Sequence, residues 1–343
     1  MYECEKLTGK SYKYSHTHSH RMIIHRRSAL IGLFAPFANV SLLNYRYNGG
    51  INDPYAQLSK DVRSDVREAI QSDPTMAGSI LRLAFHDAAV YDGRVLKGKG
   101  GSDGSIMYEM DWSENRGLER KSLKFINELV SKQNSGENKG GKLSIADTIA
   151  LAGAEAVEVA GGPHIAIRMG RQDTYEPSSR TLLRPIKGET ERSDIVTTLP
   201  SPGLDSLGLR IYFKRLGLDE KEFIALMGSH DLGRHVTLTG MQKSCLRNLT
   251  RQCLEEAPIS VPFVSKNPDD FSNLYFQKLI NWYDRNIEFG EASFIPTDVA
   301  LVVDDGLRQT VQVFANDQDL FFETFARAYQ RIVDRTAASE KRY

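Results

Sequence analysis

Residues 81–90 read LRLAFHDAAV, an apolar helical run that contains an arginine and a histidine. Arg82 and His86 stand four apart with Phe85 beside the histidine, so on a helix the three project from one face. Burying a guanidinium without a partner is costly, and an ordinary core helix is a poor account of the run.

Working outward, YAQLSKDVRSDVREAIQSDP (55–74) is amphipathic and ends at Pro74, and the LRLAFHD helix follows Met76, Ala77 and Gly78. A glycine-rich loop, DGRVLKGKGGSDGS (92–105), precedes ENRGLERKSLKFINELVSKQ (114–133), whose pattern predicts an amphipathic helix. SIADTIALAGAEAVEVAGG (144–162) reads as a central buried helix that stops at Gly161-Gly162-Pro163. Polar loops are expected over 171–208, then a helix at IYFKRLG (211–217) and another over DEKEFIALMGSHDLGR (219–234), with Asp219 as its cap. DQDLFFETFARAYQRIVDR (317–335) is a last amphipathic helix, and no sustained alternation argues for a sheet.

A second run, ALMGSHDLGRH (225–235), places His230 late in an apolar helix between Gly228 and Gly233, glycines expected to leave room for something flat and large. One histidine on an apolar face is most simply a satisfied core residue; two in such settings point to chemistry.

LRLAFHD (81–87) resembles the distal-helix motif, and MGSHDLGR (227–234) the proximal-histidine motif, of the plant, fungal and bacterial haem peroxidase superfamily, with an ascorbate-peroxidase-like character. The resemblance runs from residue 55 to 338. It implies a mainly α, two-lobed helical fold with haem b between distal and proximal lobes, and reduction of hydrogen peroxide by a small electron donor. His230 is then the ligand to the haem iron. Asp298, in IPTDVALVVDD (295–305), matches the aspartate that makes this imidazole more basic, although a Thr-Asp pair alone also reads as a helix cap. His86 is implied as the general base and then acid toward peroxide, and Arg82 as the cation that stabilises developing oxyanion charge. Asn115, in ENRGLE, is implied to orient His86; alone it would be a turn residue. Asp147 and Arg171 match a structural ion pair, while His164 and His235 are expected to be hydrogen-bonding or surface residues.

The sequence departs from the intracellular class at several positions. Phe85 and Phe263 stand where that class carries tryptophan beside the haem, so the second oxidising equivalent falls to the porphyrin or a tyrosine. Thr239 occupies the place of the ascorbate-binding arginine, which leaves the reductant unnamed. Asp87, Asp103, Ser105 and the Gly101 carbonyl supply hard oxygen donors of the kind a distal calcium ion requires; they equally suit a helix cap and a turn. A proximal calcium site looks worse, with Asp231 as the main donor and Val264 where an acid is expected. Trp112 and Trp282 are the only tryptophans, and neither is read as a surface oxidation site. No manganese-binding carboxylate trio is recognisable. An extra segment, MQKSCLRNLTRQCLEE (241–256), carries Cys245 and Cys253, as a disulfide-closed loop or two free thiols, and an Asn248-Leu249-Thr250 sequon.

Composition bounds the function. The 343 residues carry zero formal net charge and are 41% hydrophobic, which favours neither nucleic acid nor an acidic membrane surface. The three cysteines lack zinc-site spacing, and no run approaches the roughly 20 apolar residues of a membrane span. Residues 1–50 read as a transit peptide followed by a twin-arginine signal, Arg26-Arg27, with 51–343 as the peroxidase domain; the other reading is a basic tail and a packing segment. The leader, together with chloroplast members of the resembled family, implies the thylakoid lumen or another plastid compartment, with a mitochondrial or secretory destination left open, and the peroxidase resemblance implies a part in the response to oxidative stress. Two rivals keep the fold: a non-catalytic lumenal binding or scaffold protein, and a haem redox sensor.

Overall fold

The computed structural model describes residues 55–93, 100–135, 142–181, 197–236, 260–288 and 290–335. In helix α1 (Ala56–Ser72), Leu58, Val62, Val66 and Ile70 recur every four residues, forming one buried stripe. Helix α2 (Met76–Ala88) carries the LRLAFHD run. Helix α3 (Lys124–Asn134) and the buried helix α4 (Ile145–Val159) complete this group. The Ser144 hydroxyl caps α4 by accepting from the Asp147 amide at 3.0 Å. α4 is the hub, packing against α1, α2 and α3. Its fully buried Glu155 is held by Arg63 and Arg67 of α1, each at 2.5 Å. A charge without water must find partners, and two arginines supply them.

The second group comprises α5 (Ser206–Arg215), α6 (Glu220–Met227), α7 (Leu274–Tyr283), α8 (Pro296–Val303), α9 (Asp305–Asn316) and α10 (Gln318–Val333). Asp219 and Glu222 form a reciprocal capping box on α6. Phe271, Phe276, Phe314, Phe321 and Phe325 pack ring against ring as its core. α10 packs on α6 and reaches back to α2, and its Tyr329 hydroxyl donates to the Ala150 carbonyl at 2.9 Å. The fold is thus mainly helical and built as two groups joined by the last helix. The only strands among the described residues are β1 (Arg234–Val236) and β2 (Ser260–Pro262), paired antiparallel.

The structure corrects four local expectations. Residues 114–133 are not one helix: a 3₁₀ turn (Ser113–Asn115) and a π turn (Glu119–Leu123) precede α3, because Gly117 turns the chain at φ +84°. α5 begins at Ser206, inside the expected loop, where Asp205 caps it. α6 ends at Met227, so His230 lies on a 3₁₀ turn (Gly228–Leu232). Finally, Gly228 and Gly233 admit the chain's own aromatic rings: a Cβ would lie 2.7 Å from Phe321 at the first and 2.9 Å from Phe263 at the second.

The expected leader (1–50), Thr239, the 241–256 segment with Cys245 and Cys253, and the sequon lie outside the described residues. No described helix is long and apolar enough to cross a membrane.

Gly78 lets the start of α2 rest on the turn that bears His230, since a Cβ there would strike the Leu232 carbonyl oxygen. Gly78→Ala should therefore lower stability by about 1–3 kcal/mol. Urea unfolding with an unchanged midpoint would refute this contact.

Candidate functional site

On α2, Arg82 and His86 are held by one short segment. His86 Nδ1 lies 2.7 Å from Asn115 Oδ1. The Asn115 amide donates through Nδ2 to the Glu109 carbonyl at 2.9 Å, so its oxygen faces the ring. His86 Nδ1 must then carry the proton, and Nε2 keeps its lone pair. Arg82 donates to the carbonyls on either side of this asparagine, Arg116 at 3.0 Å and Glu114. Phe85 meets the His86 ring edge-on at 6.0 Å.

The electrostatics favour a neutral base. Burial, then the nearby Arg82 charge, pushes His86 down to about 3, against a smaller opposing pull from Asn115. Arg82 keeps an accessible face, yet protein crowds it enough that burial takes its guanidinium down to about 10. It stays protonated at neutral pH.

His230 is arranged differently. Its Nδ1 lies 2.7 Å from Asp298 Oδ1, and the aspartate is fully buried while 24% of the His230 side chain stays accessible. Asp298 is also the N3 residue of α8, where its Oδ2 accepts from the Ile295 amide at 2.9 Å, so the capping and pairing readings hold together. Phe263 stacks on His230 at 4.1 Å and 12°. With Nδ1 committed to a carboxylate, Nε2 is the nitrogen available to a metal, and the carboxylate makes it a stronger donor. A haem iron fits this donor set.

Sequence reasoning missed two features. The Arg82 carbonyl partners could not be read from ENRGLE, because backbone acceptors leave no residue-type signature. Tyr275 was also missed: fully buried, it donates its hydroxyl to Asp298 Oδ1 at 2.7 Å and meets His230 edge-on at 5.8 Å. The expectation of no surface tryptophan needs correction, since Trp282 is 39% exposed; Trp112 is buried.

The calcium candidates come together beside α2. Buried Asp87 accepts from the Gly104 amide at 3.2 Å and the Ile106 amide at 3.4 Å, Asp103 accepts from the Ser105 amide at 3.1 Å, and the Gly101 carbonyl accepts from the Asp103 amide at 2.8 Å. These are the bonds of a turn. Burial nevertheless raises Asp87, Asp103 and Glu109 together, with carboxylate repulsion adding to each. Buried Glu109 Oε2 has no hydrogen-bond partner. Among the described residues no group of three or more His, Cys, Asp or Glu side chains is arranged to hold a metal. At the other expected cation site, Asp231 is spent on the Ser272 amide and hydroxyl, at 2.7 and 2.9 Å.

The remaining polar candidates are structural. Arg171 pairs with Asp147 at 2.9 Å and with Asp334 at 3.0 Å, tying α4 to the end of α10. His164 pairs with Glu158, and His235 Nε2 bonds to Ser293.

Comparison with known proteins agrees with this geometry. A family model described as Peroxidase matches residues 62–317. The chain is 31% identical to a protein named L-ascorbate peroxidase 5, peroxisomal, of Arabidopsis thaliana, over 82% of this chain and 84% of that one. It is 29% identical to a protein named as a heme-binding peroxidase of Aspergillus fumigatus, over 82% and 81%. It is 30% identical to one named as L-ascorbate peroxidase 5, chloroplastic, of Oryza sativa subsp. japonica, over 82% and 80%.

The depressed His86 value has a testable consequence. Between about 6.5 and about 3 the unfolded chain binds a proton that the folded one refuses, so folding stability falls as pH drops through that window. Taken from pH 7 to pH 5, the haem-free protein should lose up to about 2 kcal/mol more than His86→Leu. Equal losses in urea titrations of the two would contradict the assignment.

Proposed function

The chain belongs to the peroxidase family, an ascorbate-peroxidase-related haem peroxidase, and from that premise we propose that it reduces hydrogen peroxide through His86, Arg82, Asn115, His230 and Asp298. One observation carries the reading: the two histidines are held by different acceptors. An uncharged amide oxygen orients His86, which burial and Arg82 keep neutral, whereas a carboxylate enriches His230. The first suits a base, the second a ligand to oxidised iron.

A bound haem b would supply the redox-active iron that accepts peroxide oxygen. His230 Nε2 would hold that iron, with Asp298 fixing the ring and Phe263 stacked against it. His86 Nε2 would take a proton from one peroxide oxygen and return it to the other as the O–O bond breaks. Arg82, fixed by the Glu114 and Arg116 carbonyls, stabilises the charge that grows on the departing oxygen. Asn115 keeps Nε2 in its unprotonated tautomer. The reductant is a small electron donor. The place of the ascorbate arginine is taken by Thr239, so ascorbate is a weaker candidate than a phenolic donor.

A chloroplast destination, the thylakoid lumen within it, rests on the composition of residues 1–50 and on the chloroplastic relative; the peroxisomal relative supports another compartment. A calcium ion beside Asp87 and Asp103, reached also by Ser105 and the Gly101 carbonyl, would neutralise the buried acidic charge and satisfy the orphaned Glu109 oxygen. Calcium should then raise the unfolding temperature of the native sequence and leave that of Asp103→Asn unchanged. Equal responses would remove the ion.

His230→Ala should abolish tight haem retention, and an intact Soret band in that variant would remove the ligand assignment. His86→Leu should retain haem while slowing the peroxide reaction by at least about 10²–10⁴-fold in stopped flow. An unchanged rate would remove His86 from the mechanism.

A further inference from the structure

Helix α7 carries two oxidisable rings on one face. Tyr275 and Trp282 are seven residues apart, two turns, which separates them by about 10 Å along the helix axis. At the inner end Tyr275 is fully buried, edge-on to His230 at 5.8 Å, with its hydroxyl on Asp298 at 2.7 Å. At the outer end Trp282 is 39% exposed. Phe294, from the segment leading into α8, lies between them, 5.9 Å from Tyr275 and 6.4 Å from Trp282, edge-on to both. Ring contacts therefore run unbroken from His230 to the surface.

We propose that this run is an electron path, and that Trp282 is the surface site at which phenolic one-electron donors deliver their electrons. The inference rests on the peroxidase reading and deepens it by assigning a donor site and a donor class. Reducing peroxide to water consumes two electrons, which single-electron donors must supply in turn. In each transfer Tyr275 gives one electron inward, and its phenolic proton crosses to Asp298 Oδ1, leaving a neutral tyrosyl radical. An electron from Trp282 then refills the tyrosine, the proton returns from Asp298, and an indole radical cation remains at the surface. A phenol restores Trp282 by losing one electron and releasing its proton to solvent.

Phe294 is not oxidised, because a benzene ring without a hydroxyl gives up an electron reluctantly; it provides the packed medium between the two stations. Phe263, stacked on His230, is unsuited as a station for the same reason, which leaves Tyr275 as the oxidisable ring in contact with that histidine. Beside Trp282, Tyr283 is 40% exposed with the Arg308 guanidinium 4.5 Å over its ring, so the surface offers aromatic faces to a planar donor.

The test loads the full chain with zinc protoporphyrin IX and oxidises the bound porphyrin by flash with a cobalt(III) ammine as the electron acceptor. This bypasses peroxide and His86. Radicals are read by freeze-quench EPR and by nitroso spin-trapping with peptide mass spectrometry. The native sequence should yield a tryptophanyl signal and an adduct at Trp282. Trp282→Phe, a surface change that leaves the core intact, should shift the adduct to Tyr275, and Tyr275→Phe should lose most of the Trp282 adduct. An adduct pattern unaffected by either substitution, or porphyrin uptake with no adduct at either ring, overturns the path alone. Failure to take up porphyrin would overturn the peroxidase reading and the path together.

Discussion

A carboxylate with no access to water, Asp298, anchors the proximal half of the site. It receives His230 Nδ1 and the Tyr275 hydroxyl on one oxygen and the Ile295 amide on the other. A buried charge is tolerated only when its lone pairs are satisfied, so the start of α8, the first turn of α7 and the 3₁₀ turn bearing His230 are drawn to one point. Loss of any of these donors would leave a buried charge short of partners, and the position of the histidine depends on all of them.

The opposite half is built without a carboxylate, and that difference shapes the chemistry. Burial and the positive charge of Arg82 both oppose protonating His86, against the weaker pull of the Asn115 carbonyl, which bears no formal charge. The residues on either side of Asn115 hold Arg82 through their carbonyls. One turn of chain thus sets the tautomer of the base and the place of the cation, and the two cannot move independently.

The aromatic architecture serves two purposes. Phe271, Phe276, Phe314, Phe321 and Phe325 fill the second helical group with apolar area. Tyr275, Phe294 and Trp282 continue that packing outward to solvent, with an oxidisable ring at each end. The same helix that delivers a hydrogen bond to Asp298 also carries Trp282 to the surface, because seven residues complete almost two turns.

Much of this was legible in residue order. The four-residue spacing of Arg82 and His86, the apolar stripe of α1, the Asp219 cap of α6, and the two motifs all depend on neighbours within a turn or two, and local periodicity records such relations. The break of the 114–133 helix at Gly117, the 3₁₀ turn under His230, the aromatic rings lying on Gly228 and Gly233, the Arg82 carbonyl partners, the Tyr275 hydroxyl on Asp298 and the exposure of Trp282 were decided only by the tertiary structure. Apart from the turns at Gly117 and under His230, these features join segments tens of residues apart, or expose one ring among many, and neither backbone acceptors nor solvent access has a letter in the sequence.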